Sequence, residues 1–300
     1  MAIGSVRHLL GTAKYRAVQR IRSFHYQRRV QHAFDRGEGL QGRAHGLGGS
    51  LTVSLTSFPA RYETLHLTLW CLLNQSVRAD RIVLWIAHED IEQLPGRVRS
   101  LEPMGLEILP CEDFGSYKKI VFALRQFPDD FIVTADDDLY YPPDWLAELS
   151  ASTDRDGIVA HRTHRVRTDE AGLALPYEIW PKNVGDPAAR QPSADLLATT
   201  GAGALFPPQC LSPSVTDADL FTRLAPSGDD LWIHAMAKLH GTSVRKVGST
   251  QDLVAWSNSQ TVQLWSENRD GRNDAMIRAI ENQFGRVFDP RWQKTSREVD

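Results

Sequence analysis

Cysteine is scarce in this 300-residue chain, and the three present, Cys71, Cys111 and Cys210, stand far apart. Without paired spacing they exclude a zinc ribbon and a disulfide framework, and they favour a reducing compartment. No apolar run approaches the length of a membrane span; Ile82–Ala87 has the length of a strand. The first residues lack the apolar core and small-residue cleavage site of a secretory signal. Internal repeats and low-complexity segments are missing too. What the chain does have is 42% hydrophobic residues, enough for a substantial core in one large or two small domains. These features describe a cytoplasmic protein, soluble or peripheral on the inner face of a membrane.

The net charge of -3 conceals an asymmetry. Arg7, Lys14, Arg16, Arg20, Arg22, Arg28, Arg29, Arg36 and Arg43 face only Asp35 and Glu38 in the first fifty residues, a net of +7 against -10 for the remainder. Val6, Leu10, Ala13, Ala17, Ile21 and Phe24 recur at helical spacing. The spacing predicts a basic amphipathic arm over residues 1–48, closed by the glycine-rich stretch Gly39–Gly49. Such an arm can lie on an anionic membrane or pack its stripe on the main domain. Nucleic acid is a poor partner for it, because no aromatics are interleaved in a reading motif and the body is acidic.

From Ser50 the pattern becomes α/β. Leu51–Thr56 reads as a strand, Ser57-Phe-Pro-Ala-Arg61 as a turn, and Tyr62–Asn74 as a helix with Leu65, Leu69, Leu72 and Leu73 on one face. Arg81–Ala87 and Glu107–Leu109 read as further strands, and Ser116 as the cap of a helix reaching Gln126. Alternation on this scale implies a largely parallel, covered sheet. The main domain is expected over residues 49–285, with 286–300 as a tail.

The most informative stretch is Phe131-Ile-Val-Thr-Ala-Asp-Asp-Asp-Leu-Tyr-Tyr-Pro-Pro143. A buried strand ends there in three consecutive carboxylates, at the sheet edge where ligands of α/β proteins bind. Strand alternation would point Asp136 and Asp138 the same way and Asp137 the other. Hard oxygen donors suit Mg²⁺ or Mn²⁺. A solvated acidic loop is the competing explanation. An EF-hand spacing is not present, and an aspartyl-phosphate phosphatase frame would need Thr or Val where Tyr140 stands. A second acid pair, Asp229-Asp230, opens a helix that runs to His240 and stops at Gly241; either acid could simply be its N-cap. Arg61 could fork onto a phosphate or pair with Glu63 or Asp80 at the surface. Lys118 and Lys119 oppose the dipole of their helix, a hint that one of them, Lys118 by position, meets an anion.

Several motifs occur in a definite order: Ser54-Leu-Thr-Ser-Phe-Pro-Ala-Arg61, Asn74-Gln75, Ser116-Tyr-Lys-Lys119, Ala135-Asp-Asp-Asp-Leu-Tyr-Tyr-Pro142, Thr200-Gly-Ala-Gly203 and Gly228-Asp-Asp-Leu-Trp232. Over residues 50 to 280 the chain resembles bacterial nucleotide-sugar glycosyltransferases of the GT-A fold, of a family-2-like branch with a DxD metal motif.

The resemblance implies a Rossmann-like, mostly parallel α/β sheet and a metal-dependent, hexosyltransferase-like enzyme. It would move a sugar from a nucleotide diphosphate, UDP by default, to a hydroxyl of a glycan or glycolipid in surface-polysaccharide synthesis, with Mn²⁺ or Mg²⁺. Asp138 would hold the metal; Asp136 would contact ribose and serve as a second metal ligand; Asp137 would meet the donor sugar or solvent. Thr56, Ser57, Arg61 and Lys118 would line the nucleotide site, and Gly201 and Gly203 would pass close to the sugar. Asp230, with Asp229 as the alternative, would be the base of an inverting reaction. A retaining transferase, or a catalytically silent nucleotide-sugar-binding subunit, stays open. A sugar nucleotidyltransferase fits less well, since Ser57-Phe-Pro-Ala-Arg61 is not its Gly-rich loop. Trp180, Trp256 and Trp265 are candidates for stacking on sugar rings. Asn273-Asp274 is a candidate third metal-ligand pair, because Ser266 stands where relatives carry His. His161, Arg162, His164, Arg165 and Arg167 alternate along an expected polar strand that could bind phosphate or acceptor.

Overall fold

The computed structural model describes residues 2–153, 157–248, 253–257, 259 and 271–292, with side chains for residue 15 and from 17 onward. Seven strands form the central sheet: β1 (Leu51–Thr56), β2 (Arg81–Ala87), β3 (Leu106–Cys111), β4 (Phe131–Thr134), β5 (Gly157–Ala160), β6 (Ala204–Phe206) and β7 (Ser243–Lys246). Their spatial order is β7-β5-β6-β4-β1-β2-β3. All neighbours pair parallel except β6, which runs antiparallel to both β4 and β5. The expected fold class, a mostly parallel α/β sheet flanked by helices, is the one observed.

The strands read as continuous apolar runs because both faces are covered. Phe131 and Val133 of β4 join the cluster containing Leu51, Val53 and Leu55, under helices α2 (Tyr62–Leu73) and α4 (Trp145–Ser152). Ile132, between them, faces the other cluster with Ile120 and Val121 of α3 (Lys118–Gln126) and Trp232 and Met236 of α5 (Asp229–His240). The period of two along a strand divides the core into these layers. Gly241 ends α5 in the left-handed region at φ 88°, as its place after His240 predicts. Strands β1, β4, β5 and β7 all point their carboxyl ends to one edge, so Ser57, Asp136, Arg162 and Val247 follow from the same rim.

The N-terminal arm packs on the main domain, one of the two arrangements open to it, but not through the expected stripe. Helix α1 spans Ala2–Arg36, and its second half is docked rather than hanging from a linker. Val30 is buried, Ser23 Oγ donates to Ala255 O at 2.7 Å, and Tyr26 stacks on Tyr140 at 4.2 Å. Phe34 packs edge-on against His66 and Trp70. The docked face is therefore made by Ser23, Tyr26, Val30 and Phe34, a mixed set that an apolar-only pattern misses. Ile21 and Phe24 of the expected stripe are 70% and 60% exposed instead. The glycine-rich segment is also pinned, by Leu40 N to Asn74 Oδ1 and by pairing of Arg43–Ala44 with Val77–Arg78. The expected tail likewise contributes to the core: Val287 and Phe288 are fully buried, the latter against Trp180 and His234. No described helix is long and apolar enough to cross a membrane.

Replacing Tyr26 by Ala removes the stack on Tyr140 and is expected to cost about 1–2 kcal/mol in urea unfolding. An arm independent of the domain would give no change.

Candidate active site

The acidic strand stops at Thr134, and the chain then bends, so the three carboxylates do not alternate as a strand would. Asp136 turns one way, with Oδ1 2.8 Å from Lys119 Nζ. Asp137 and Asp138 turn together toward the loop after β1. There Ser57 Oγ donates to Asp137 Oδ2 at 2.5 Å, and Arg61 forms a buried ion pair with Asp138. The grouping is thus Asp137 with Asp138, and not Asp136 with Asp138.

Buried side chains brace this turn from below. Tyr141 Oη accepts from Asp136 N at 2.7 Å and donates to Gly201 O at 2.6 Å. Thr68 Oγ1 donates to Asp137 O, and Trp256 supports it twice, through Nε1 to Thr68 Oγ1 and through its backbone N to Asp138 O. Gln75 holds the exit, donating to Pro142 O and accepting from Leu146 N. Asn74-Gln75 acts here as a clamp. Trp256 and Trp180 are 1% and 2% exposed, so both are core residues and neither can stack on a sugar. Trp265 and Ser266 lie outside the described residues.

The second acid pair stands against the first. Lys119 Nζ is 3.3 Å from Asp229 Oδ2 while it holds Asp136, so one buried ammonium joins the two motifs. Asp230 Oδ1 accepts from Thr200 N at 2.9 Å and from Thr200 Oγ1 at 2.8 Å. Lys118, favoured by position, pairs instead with Asp113 at 2.7 Å. The one-residue step along the helix turns it away from the acids and brings Lys119 onto them. The aligned helix dipole opposes both cations equally, so the sequence signal could not separate them.

Charge imbalance shows in the titrating groups. Burial, reinforced by Asp138, pushes Asp137 up to about 7 against the opposing pull of Ser57 and Arg61. Burial, reinforced by Asp229, pushes Asp230 up to about 6, with Lys119 and Thr200 pulling it down. Asp136 behaves differently: burial acts to raise it, but Lys119, with Arg162 and Arg61, holds it below the usual carboxylate range. Arg162 was one of several residues on an expected polar strand. The short strand Thr163–Arg165 there pairs with Leu196–Ala198, and Arg162 Nε donates to Thr199 Oγ1, beside the acid site. Its neighbours have structural partners: His161 meets Trp145 O, and Arg165 pairs with Asp186 and Asp195.

The glycines separate into two kinds. A Cβ on Gly201 would run into the Asp136 carboxylate, so this glycine permits a close approach at the site. Gly203, at φ 110°, backs against the buried indole of Trp145, whose Nε1 donates to Ala202 O. Its reason is packing and backbone conformation, not a ligand. Thr56 Oγ1 donates to Trp85 O and sits half-buried at the rim. Asp274 Oδ1 accepts from Tyr177 N, so it caps a neighbouring loop.

No protein-family model and no curated protein matches the sequence. Solved structures similar to the chain include GalNAc-T7 with UDP, GalNAc and Mn²⁺, at 14% identity over 66% of this chain and 42% of that one, with a TM-score of 0.45. Another is the mannosyltransferase PcManGT from Pyrobaculum calidifontis with GDP-Man and Mn²⁺, at 15% identity, covering 91% and 81% of the two chains, with a TM-score of 0.42. A third is 4-diphosphocytidyl-2C-methyl-D-erythritol synthase from Anaerococcus prevotii, at 10% identity, 74% and 97% coverage and a TM-score of 0.45. These likenesses are too distant to bear on the chemistry of this chain, which has to be argued from the site.

Could the site hold a divalent ion? Five carboxylates, Asp136, Asp137, Asp138, Asp229 and Asp230, share it with Lys119 and Arg61, which leaves an excess of hard oxygen donors. Among the described residues no three His, Cys, Asp or Glu side chains converge on one point. An ion here would take at most two protein carboxylates and fill its shell with water and phosphate oxygens. That partition is the habit of Mg²⁺ at phosphate sites, so the donor set fits.

Arg61 and Asp138 side chains are 8% and 9% exposed. Asp138→Asn should therefore destabilise the protein, by up to about 3–5 kcal/mol, by removing the carboxylate paired most closely with a buried guanidinium. Adding Arg61→Met should recover most of that loss in chemical denaturation. A surface-like pair would show neither effect.

Proposed function

We propose that this protein is a metal-dependent glycosyltransferase that transfers a sugar from a nucleotide-diphosphate donor to an acceptor hydroxyl with inversion. The observation that carries the reading is the meeting of the two acid motifs at the carboxyl edge of the sheet, where Lys119 joins Asp136 to Asp229. One motif has the donors for a metal-bound diphosphate. The other presents a carboxylate, Asp230, whose proton affinity is raised into the range of a useful base.

In this reading Asp138, with Asp137 beside it, would hold Mn²⁺ or Mg²⁺, which would neutralise the charge that collects on the diphosphate, while Asp136 is turned away onto Lys119. Ser57, Arg61 and Thr56 line the nucleotide side, with a uridine donor as the first expectation. Gly201 lets the Asp136 carboxylate lie against the backbone of the Thr200–Ala202 turn. Asp230 takes the proton of the acceptor hydroxyl. The freed oxygen pair forms the new bond to the anomeric carbon, and the old sugar–oxygen pair departs with the diphosphate. Thr200, donating twice to Asp230, fixes the orientation of that carboxylate. Arg162 lies within electrostatic reach of Asp136, and Tyr177 within reach of Asp230.

We place the enzyme in cell-surface polysaccharide or glycolipid synthesis, with a glycan or glycolipid acceptor and a cytoplasmic, membrane-peripheral location. Ile21 and Phe24, exposed on α1 near Arg20 and Arg28, support contact with an anionic lipid surface. Co-sedimentation with phosphatidylglycerol vesicles, and its loss in Ile21→Asp/Phe24→Asp, is the expected result. No sedimentation of the wild-type protein would remove the membrane from the reading.

Thermal unfolding against nucleoside diphosphates and nucleotide sugars, with and without Mn²⁺, tests the donor site. One nucleotide is expected to stabilise the protein by about 2–4 kcal/mol near saturation, and only with metal. No shift with any nucleotide would overturn the proposal. Asp230→Asn should keep that binding and lose about 10²–10⁴ in turnover. Because the ionised form is the base, wild-type kcat/KM should fall as pH drops through about 6. Near-normal turnover in Asp230→Asn would overturn the assignment of the base.

A further inference from the structure

Two adjacent carboxylates at the start of α5 raise the question of which one accepts the proton. We infer that Lys119 is a positioning residue that settles this: it claims Asp229 for the tie to Asp136 and leaves Asp230 as the proton acceptor. The inference deepens the transferase reading, and rests on it for the origin of the proton but not for the ionisation of the pair.

The geometry is asymmetric. Lys119 is 4% exposed, and its ion pairs reach Asp136 at 2.8 Å and Asp229 at 3.3 Å, but not Asp230. Asp230 is held by neutral donors, the backbone N of Thr200 and its hydroxyl, which is 2.8 Å from Asp230 Oδ1 and 3.3 Å from Asp229 Oδ2. Taking a proton on Asp229 would break its ion pair with a buried ammonium. A carboxylate held by neutral donors keeps its orientation at lower cost to its basicity. The lysine is itself fixed from behind, since its carbonyl accepts from Ser54 Oγ on β1. A cation in the first turn of a helix works against the dipole. The acids around Lys119 more than offset this, and they hold its ammonium well above the ordinary lysine range against the effect of burial.

Among the described residues the groups facing Asp230 are few. Asp229 lies on its own helix, Lys119 on α3, Tyr117 in the turn before α3, and Tyr177 in the loop that Asp274 caps. Both phenols are raised above their usual range by burial and by the acids, and so stay neutral. Lys119 is then the cation that restrains Asp230, and Asp229 is the anion that lifts it.

Carboxyl ¹³C NMR of aspartate-labelled protein reads this directly, with Asp230 assigned by its loss in Asp230→Asn. Lys119→Met is expected to raise the Asp230 pKa by about one unit, and Asp229→Asn to lower it by about as much, each a tenfold change in proton affinity. Lys119→Arg should restore the wild-type value. An Asp230 titration unmoved by Lys119→Met, or not restored by Lys119→Arg, would overturn the inference. If Lys119→Met does not fold, Asp229→Asn decides, and an unmoved Asp230 there overturns it equally. The transferase reading fails differently, by the absence of nucleotide binding while these titrations behave as expected.

Discussion

One buried ammonium holds the two halves of the candidate site together. Lys119 sits between a carboxylate that follows β4 and one that opens α5, and its own ammonium is 5% exposed. The cost of burying charge is several kcal/mol per ion, met only by close pairing and further hydrogen bonds. Asp136 has both, from Lys119 and from the Tyr141-braced backbone, and its ionisation is eased. Asp137, bonded to a serine hydroxyl and crowded by Asp138, does not have them, and its proton affinity rises. The same principle explains why the adjacent Asp136 and Asp137 shift in opposite directions.

The turn that carries them is rigid because its backbone is accounted for. Tyr141, Thr68, Trp256 and Gln75 satisfy backbone groups from Asp136 to Leu146 that no regular element would satisfy. Each of these side chains is buried, so the polar bonds are made in a medium where leaving them unmade would cost about 1–3 kcal/mol apiece. A site that must hold highly charged ligands without shifting gains from such a base. The exposed helix α1 reaches this base too: it packs Tyr26 on Tyr140, two residues after Asp138. A surface that engages α1 is thereby placed in a fixed relation to the acids.

Much of this was legible along the chain. The strand ending in Asp136-Asp137-Asp138, the parallel α/β order, and the helix from Asp229 to the stop at Gly241 follow from local periodicity, chain direction and the left-handed freedom of glycine. Those signals depend on near neighbours, and a sequence displays near neighbours. Hence the fold class and the identity of the two acid motifs came from the sequence alone.

Which groups meet was decided only by the tertiary structure. Lys118 and Lys119 are equal in sequence, and a rotation of one residue around a helix separates them. Gly201 and Gly203 share a motif, yet one clears space for a carboxylate and the other for an indole. Trp256 and Trp180 have the composition of sugar platforms and the burial of core residues. The face of α1 that docks is mixed in polarity, so its apolar stripe pointed the wrong way. In each case the deciding contact comes from a segment distant in the chain, and the direction of a side chain at the end of a strand depends on a bend that local pattern does not encode.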